Sequence, residues 1–203
     1  MPSYKKEWMD KAKIDYFSPF VNLWLAFNSW YQNHYSELSS DRDCINKVKS
    51  DTSPRNRAFH LFINLLERND KKGINFRNNI EMLHYSLERA NIQPDRIKFC
   101  SFRYLLKDYN QKNNIAAYEN IIVDRIRSKI KNNGEVRKAY EDDIFRLDSI
   151  YIKKDFELFF AGLIEIIYTV RNLTIHGRLE PNKENHEIVK YCYFILWDIL
   201  EGI

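Results

Sequence analysis

The chain has little of what turn-rich or disulfide-bonded proteins need, with five glycines, five prolines and three cysteines among 203 residues. So few glycines and prolines argue against an all-β fold, which requires many tight turns. The three cysteines, Cys44, Cys100 and Cys192, are isolated and odd in number, so they predict neither a zinc site nor a disulfide framework. This cysteine usage favours a reducing cytoplasm as the location of the protein.

Signatures of the common enzyme classes and of membrane segments are also missing from the sequence. It contains no P-loop, GxGxxG, GxSxG or HExxH motif, which argues against most nucleotide-dependent and metal-dependent enzymes. We therefore predict no cofactor and no metal. Polar residues interrupt each apolar stretch before about 18 residues, and the charged residues 1–13 lack the apolar core of a signal peptide. No membrane partner is expected.

What the chain has in abundance is apolar residues, 44% of the total, many of them at helical spacing. This predicts an all-α fold, a single-domain helical bundle of residues 1–203 that ends in a C-terminal αα-hairpin. Residues 132–134, Asn-Asn-Gly, predict a turn, and residues 91–154 are candidates for an excursion from the core bundle. The predicted helices cover residues 5–15, 20–35 (Ser18 as N-cap, Pro19 as N1), 41–50, 54–68 (Ser53 as N-cap), 74–89, 96–109, 115–131, 156–176 (Asp155 as cap) and 183–200.

The segment Arg171-Asn172-Leu173-Thr174-Ile175-His176-Gly177 ends the most apolar of these helices. An arginine can bind phosphate and a histidine can move a proton near neutral pH, so together they could cleave RNA without a metal. A structural interpretation is also open, and the spacing alone favours it, because cationic C-termini are common in helices. Cationic side chains in a last helical turn complement the helix dipole, and Gly177 can serve as the C′ cap. The net charge of +4 permits a nucleic-acid partner without requiring one.

Helical geometry indicates that one copy of this segment makes an incomplete active site. Asn172 and His176 are four residues apart and share a face, whereas Arg171 lies roughly 140° around an ideal helix from His176. Fraying of the last turn could bring the two side chains closer. A second copy of the segment, facing the first across a dimer axis, would supply the missing groups more fully.

The segment and an early aromatic helix, Val-Asn-Leu-Trp-Leu-Ala-Phe-Asn-Ser-Trp-Tyr at residues 21–31, together resemble the HEPN superfamily (higher eukaryotes and prokaryotes nucleotide-binding). The motif of that family is an arginine, usually followed by a polar residue, and a histidine after four to six intervening residues. Arg171, Asn172 and His176 match it with four intervening residues. The resemblance covers the two ends of the chain. It implies an all-α homodimer with the motif at the interface, of the kind found in toxin–antitoxin and phage-defence systems, with RNA and a cognate antitoxin protein as partners.

The resemblance further implies a metal-independent endoribonuclease, in which the RNA 2′-hydroxyl attacks the adjacent phosphate. His176 would act as general acid or base, Arg171 would hold the phosphate, and Asn172 would orient the phosphate or the imidazole. Many members of the family lack activity, so an inactive HEPN-like dimeric module that binds nucleotide, RNA or a protein is the alternative. A helical interaction protein without a ligand is a third interpretation.

Four further residues are weaker candidates for RNA binding. Asn28 is a polar amide within an apolar helix and must find hydrogen-bond partners, which a neighbouring helix could supply as well as an RNA. Arg178 follows the motif and is interpreted as either a phosphate ligand or an exposed turn residue. Lys47 and Arg55 belong to a basic cluster that is either a solvated surface or an RNA-tracking patch, together with Lys49 and Arg57.

Overall fold

The computed structural model of the chain describes residues 15–89 and 129–203, which form a mostly helical bundle with one small β-hairpin. The predicted all-α fold class is therefore confirmed, with the hairpin as the one β-sheet in the described ranges. The helices are α1 (Phe17–His34), α2 (Asp41–Ser50), α3 (Arg57–Glu67), α4 (Lys71–Arg89), α5 (Phe156–Ile175) and α6 (Lys183–Leu200), and the antiparallel strands are β1 (Ile144–Arg146) and β2 (Tyr151–Lys153).

Polar side chains cap the first turns of α2, α5 and α6. The Ser40 side chain accepts a hydrogen bond from the Asp43 N–H at the start of α2, and Asp155 accepts one from the Leu158 N–H at the start of α5. Asn182 caps α6 by accepting a hydrogen bond from the Asn185 N–H. Each side chain satisfies one of the amide groups that a helix leaves unpaired at its N-terminus. The predicted bounds of α2 and α6 and the predicted cap of α5 are confirmed.

Two predicted N-caps are wrong. Helix α1 begins at Phe17, so Ser18 lies inside its first turn. Pro19 is tolerated there because the first amides of a helix have no intrahelical acceptor, so the missing N–H breaks no bond. Helix α3 begins at Arg57 and is capped by Asn56, not by Ser53. The buried Asn56 amide also donates to the Val48 and Asp51 carbonyls, so it ties the new helix to the end of α2.

Helix α4 begins three residues before the predicted 74–89. Three stretches predicted to be helical lie outside the described residues. These are residues 5–14, 96–109 and 115–128. The prediction of helix up to residue 131 is wrong, because Ile130 forms a β-bridge with Val136. The predicted Asn-Asn-Gly turn connects these two residues and is confirmed, with Gly134 at φ +81°.

Helix α5 is at the centre of the bundle. Every residue from 159 to 170 is buried. Helix α2 packs along α5, and helix α6 contacts α1, α4 and α5. Aromatic side chains fill much of the space between the helices. The ring of Trp24 lies 5.7 Å from that of Tyr168, and the ring of Phe62 lies 5.3 Å from that of Phe160. The α5 and α6 helices form the predicted C-terminal pair.

The β-hairpin is attached to α4 through a buried carboxylate. Glu81 accepts hydrogen bonds from the backbone N–H groups of Asp148, Ser149 and Ile150, at 2.8, 2.6 and 2.9 Å. Its side chain therefore accepts the hydrogen bonds that the backbone N–H groups of the loop between the strands require. Leu147 and Ile152 of the hairpin are buried in the hydrophobic core. The described end of the predicted excursion, residues 129–154, packs on the bundle in this way.

Among the described residues, α5 is long and apolar enough to cross a membrane by length and composition alone. This departs from the prediction that no segment meets that criterion. The helix is also the buried core of the bundle, and core helices of this kind pass the same test. The apolar character of α5 is therefore weak evidence for a membrane span.

Candidate active site

The motif lies at the C-terminal end of α5, where the chain turns toward α6. The helix ends at Ile175, and Gly177 follows with φ +62°. The Gly177 N–H donates to the Thr174 carbonyl at 3.2 Å and the Arg178 N–H to the Leu173 carbonyl at 2.8 Å. These two bonds define a Schellman motif, in which glycine is favoured because the left-handed backbone penalises a Cβ atom. The capping role predicted for Gly177 is confirmed, and it fixes where the motif residues emerge.

Arg171 is held against three neighbours. Its Nη1 donates to the Asn172 side-chain oxygen at 2.8 Å and lies 3.5 Å from a carboxylate oxygen of Asp41. Its guanidinium carbon lies 5.4 Å from the centre of the Trp24 ring, close enough for a cation–π interaction. The side chain is 19% exposed, and its buried Nε has no hydrogen-bond partner within the described part of the chain. The guanidinium is therefore oriented by its neighbours, and its buried Nε–H group is left without an acceptor among the residues described.

Asp41, the first residue of α2, connects the motif to α1. One of its oxygens accepts hydrogen bonds from the Tyr31 hydroxyl and from the Asn28 amide, the latter at 3.0 Å, and its other oxygen faces Arg171. Burial, followed by the hydrogen bond to Asp41, raises the pKa of Tyr31 far above its ordinary value, so the hydroxyl keeps its proton and donates. Asn28 thus has, in Asp41, the neighbouring-helix partner that the structural interpretation of this amide requires.

His176 is the C-cap residue of α5, and its side chain is exposed. Its imidazole makes no hydrogen bond or ion pair to any residue in the described ranges. Arg171 pairs with Asn172, so the structure brings two of the three motif side chains together and leaves the histidine apart. An exposed imidazole on a capped helix end is accessible to a ligand or to a second protein chain.

The basic cluster does not form one surface. Lys47 and Arg55 are exposed, as is Arg178 beyond the motif. Lys49 is buried, which contradicts its interpretation as part of a solvated or RNA-tracking surface, and its Nζ lies 2.6 Å from a carboxylate oxygen of Glu165. Burying a lysine requires a paired anion, and Glu165 on α5 supplies it.

The ionic interactions of Glu165 were not predicted from the sequence. The carboxylate is fully buried. Arg42 Nη1 donates hydrogen bonds to both carboxylate oxygens, at 2.7 and 2.8 Å. The Arg42 guanidinium lies 4.3 Å from the centre of the Tyr168 ring. One signal could have revealed Glu165, because it is the one charged residue between Glu157 and Arg171 in an otherwise apolar helix. Such a residue must find a counter-charge within the fold.

Three of the other four histidines contact residues outside the motif. His60 Nε2 lies 3.0 Å from the Ser53 carbonyl, His34 stacks on Trp30, and His186 accepts a hydrogen bond from the Tyr16 N–H at 3.4 Å. Across residues 15–89 and 129–203, no group of three or more His, Cys, Asp or Glu side chains could hold a metal ion.

Comparison of the chain with protein-family models, with curated proteins and with solved structures found no match. The assignment of a function therefore depends on the motif residues and on the geometry around them.

Proposed function

We propose that the chain is a metal-independent endoribonuclease of HEPN type. The observation that carries the proposal is the oriented guanidinium of Arg171 beside Asn172, one helical turn before an exposed imidazole. RNA cleavage by its own 2′-hydroxyl needs a cation at the phosphate and groups that move two protons, and it needs no bound metal.

The proposed reaction assigns one task to each motif residue. Arg171, whose side chain is 19% exposed, binds the scissile phosphate through its guanidinium and stabilises the charge that develops on it. An imidazole removes the proton of the 2′-hydroxyl, whose oxygen forms a bond to phosphorus while the bond from phosphorus to the 5′-oxygen breaks. A second imidazole donates a proton to that leaving oxygen. The products are a 2′,3′-cyclic phosphate and a 5′-hydroxyl.

The need for both an acid and a base motivates the second part of the proposal, a homodimer. One protomer offers one imidazole at the motif, so His176 of a second copy is the natural partner for acid–base catalysis. We expect sedimentation or light scattering at micromolar concentration to give the mass of a dimer. A cross-link between two copies of a cysteine placed at Ile175, which is 44% exposed, should form in that dimer. A strict monomer, or a dimer without this cross-link, would contradict the composite site.

One observation favours the alternative, an inactive dimeric module that binds a nucleotide, RNA or a protein such as an antitoxin. Asp41 already lies 3.5 Å from Arg171, so part of the cationic charge is compensated before any phosphate arrives. In that case the same residues would bind an anion or hold the dimer together without turnover.

Cleavage of a mixed RNA pool in excess EDTA tests the proposal. We expect cleavage to continue at an undiminished rate, because the described residues offer no cluster of metal ligands at the motif. Binding of RNA without cleavage would support the inactive module. Cleavage that appears only after a divalent metal is added would contradict the mechanism and redirect the search to the acidic residues 141–143.

A further inference from the structure

Asp41 lies between the motif arginine and two donors that the first helix supplies. Tyr31 and Asn28 both donate to one carboxylate oxygen, Asn28 from 3.0 Å, and the other oxygen lies 3.5 Å from Arg171 Nη1. Tyr31 is fully buried, and Asp41 begins a helix whose N-terminus is capped by Ser40. The carboxylate is therefore fixed from three directions, by α1, by the start of α2 and by the charge of Arg171.

The distance between Asp41 and Arg171 decides what this contact does. A strong hydrogen bond from a guanidinium to a carboxylate has donor–acceptor distances of about 2.7–2.9 Å, and Nη1 makes its short bond of 2.8 Å to Asn172 instead. At 3.5 Å the carboxylate attracts the guanidinium without taking over its donors. Together with the Trp24 ring, it sets the direction in which the remaining N–H groups point.

We propose that Asp41 is a positioning residue for Arg171, and that Tyr31 and Asn28 act on the motif arginine through Asp41. In physical terms, two donors from α1 fix a carboxylate that orients the phosphate-binding group of α5. The orientation of Arg171 by Asp41 is independent of the chemistry, whereas its effect on turnover rests on the proposed ribonuclease function.

A fixed anion beside a phosphate-binding arginine has two opposite effects. It orients the guanidinium, which favours the transition state, and it repels the incoming phosphate, which weakens RNA binding. The Asp41→Asn variant removes the charge but keeps an oxygen that can accept from Tyr31 and Asn28. We expect its KM for RNA to fall severalfold and its kcat to fall by about tenfold to hundredfold, the range that a misplaced catalytic group produces.

A matched control for Asp41→Asn is Asp43→Asn, two residues further along the same helix. Asp43 is exposed and bonds to Ser40, so this variant removes the same charge from the same turn without touching Arg171. Its KM and kcat should stay at the wild-type values. Equal changes in the two variants would mean that net charge alone matters, and would overturn the proposal. So would an Asp41→Asn variant with a lower kcat and an unchanged KM, since partial unfolding produces that result.

Tyr31→Phe tests the proposed route through Asp41. Phenylalanine preserves the buried ring and removes only the hydroxyl, so we expect a reduced kcat in the otherwise wild-type chain. In the Asp41→Ala background the same substitution should have no further effect on kcat, because the carboxylate through which Tyr31 would act on Arg171 is gone. Additive effects of Tyr31→Phe and Asp41→Ala would show that Tyr31 acts by another route.

An NMR measurement tests the orientation of Arg171 without any turnover. The Arg171 Nε–H is buried beside the Trp24 ring, so its signal should be shifted away from those of exposed arginines and should disappear in Arg171→Lys. In the folded Asp41→Ala variant we expect this signal to move toward the position of exposed arginines. If the alanine variant unfolds, Asp41→Asn replaces it in the measurement. An unchanged signal in a folded variant would refute the positioning role. Absence of RNA cleavage by the wild-type chain would instead refute the ribonuclease proposal and leave this test intact.

Discussion

Replacing His176 by alanine is expected to reduce RNA cleavage by about 10²–10⁴-fold, the contribution typical of a general acid or base. The fold should survive, because the imidazole is exposed and makes no side-chain bond within the described residues. Loss of its interaction with the helix dipole costs only about 0.3–1 kcal/mol of the free energy of unfolding. Initial rates on a labelled RNA, measured beside circular dichroism and thermal unfolding, give both quantities.

The matched control is His60→Ala, which removes another exposed helical histidine, one that contacts the Ser53 carbonyl and the Phe59 ring. Its cleavage rate should equal that of the wild-type chain. Arg171→Lys adds a second comparison, since lysine keeps the charge but lacks the planar donor array, and its rate should fall nearly as far as that of Arg171→Ala. If His176→Ala unfolded at room temperature, the structural interpretation of the motif would be favoured; if it retained full activity, His176 would not be catalytic.

Glu165→Gln is expected to destabilise the fold by about 3–5 kcal/mol, the usual effect of removing one partner of a buried ion pair. The glutamine fills the same space, so the loss comes from leaving Lys49, whose side chain is 5% exposed, without an anion. Arg42 is 34% exposed and can turn toward water, so it adds less to the loss. Urea unfolding followed by circular dichroism measures the difference.

Two further variants isolate the charge effect. Glu157→Gln changes an exposed carboxylate in the first turn of the same helix, where only the interaction with the dipole is lost, about 0.3–1 kcal/mol. The double variant Glu165→Leu with Lys49→Met removes both buried charges and should recover most of the stability. Stability near the wild-type value in Glu165→Gln alone would show that the buried pair contributes little.

The link between Glu165 and α2 also matters for the candidate site. Helix α2 carries Lys49 and Arg42, which pair with Glu165, and it begins with Asp41. Loss of the buried pair should therefore disturb the position of Asp41, and through it that of Arg171. We expect the Glu165→Gln variant to lose activity beyond its loss of folded protein.

The parts of the fold that the sequence predicted correctly are those set by local interactions. Helices α2 and α6 have a good capping residue directly before an amphipathic or apolar run, and their bounds were predicted without error. Ser18 and Ser53 carry the same kind of signal but do not cap a helix. At the second position Asn56 does so instead, because its buried amide bonds to both the preceding loop and the new helix. Tertiary contacts of this kind are invisible in a local pattern.

In the candidate site, too, local features could be predicted from the sequence and tertiary contacts could not. Arg171, Asn172 and His176 are close in sequence, so their spacing on one helix end could be predicted from helical geometry and the cap at Gly177. Asp41 could not be found in this way, because it reaches Arg171 only after α2 packs along α5. The β-hairpin was likewise missed, since its two strands have three residues each and depend on Glu81 of a distant helix.

The most direct test of the ribonuclease proposal uses two short RNAs that differ at one cleaved position, where one carries a 2′-deoxy sugar. In EDTA we expect the wild-type chain to cut the all-ribose strand at that position, leaving a 2′,3′-cyclic phosphate and a 5′-hydroxyl. The modified strand should bind equally well and remain intact there. Cleavage of both strands, or products that end in a 5′-phosphate, would contradict attack by the 2′-hydroxyl and with it the roles proposed for Arg171 and His176.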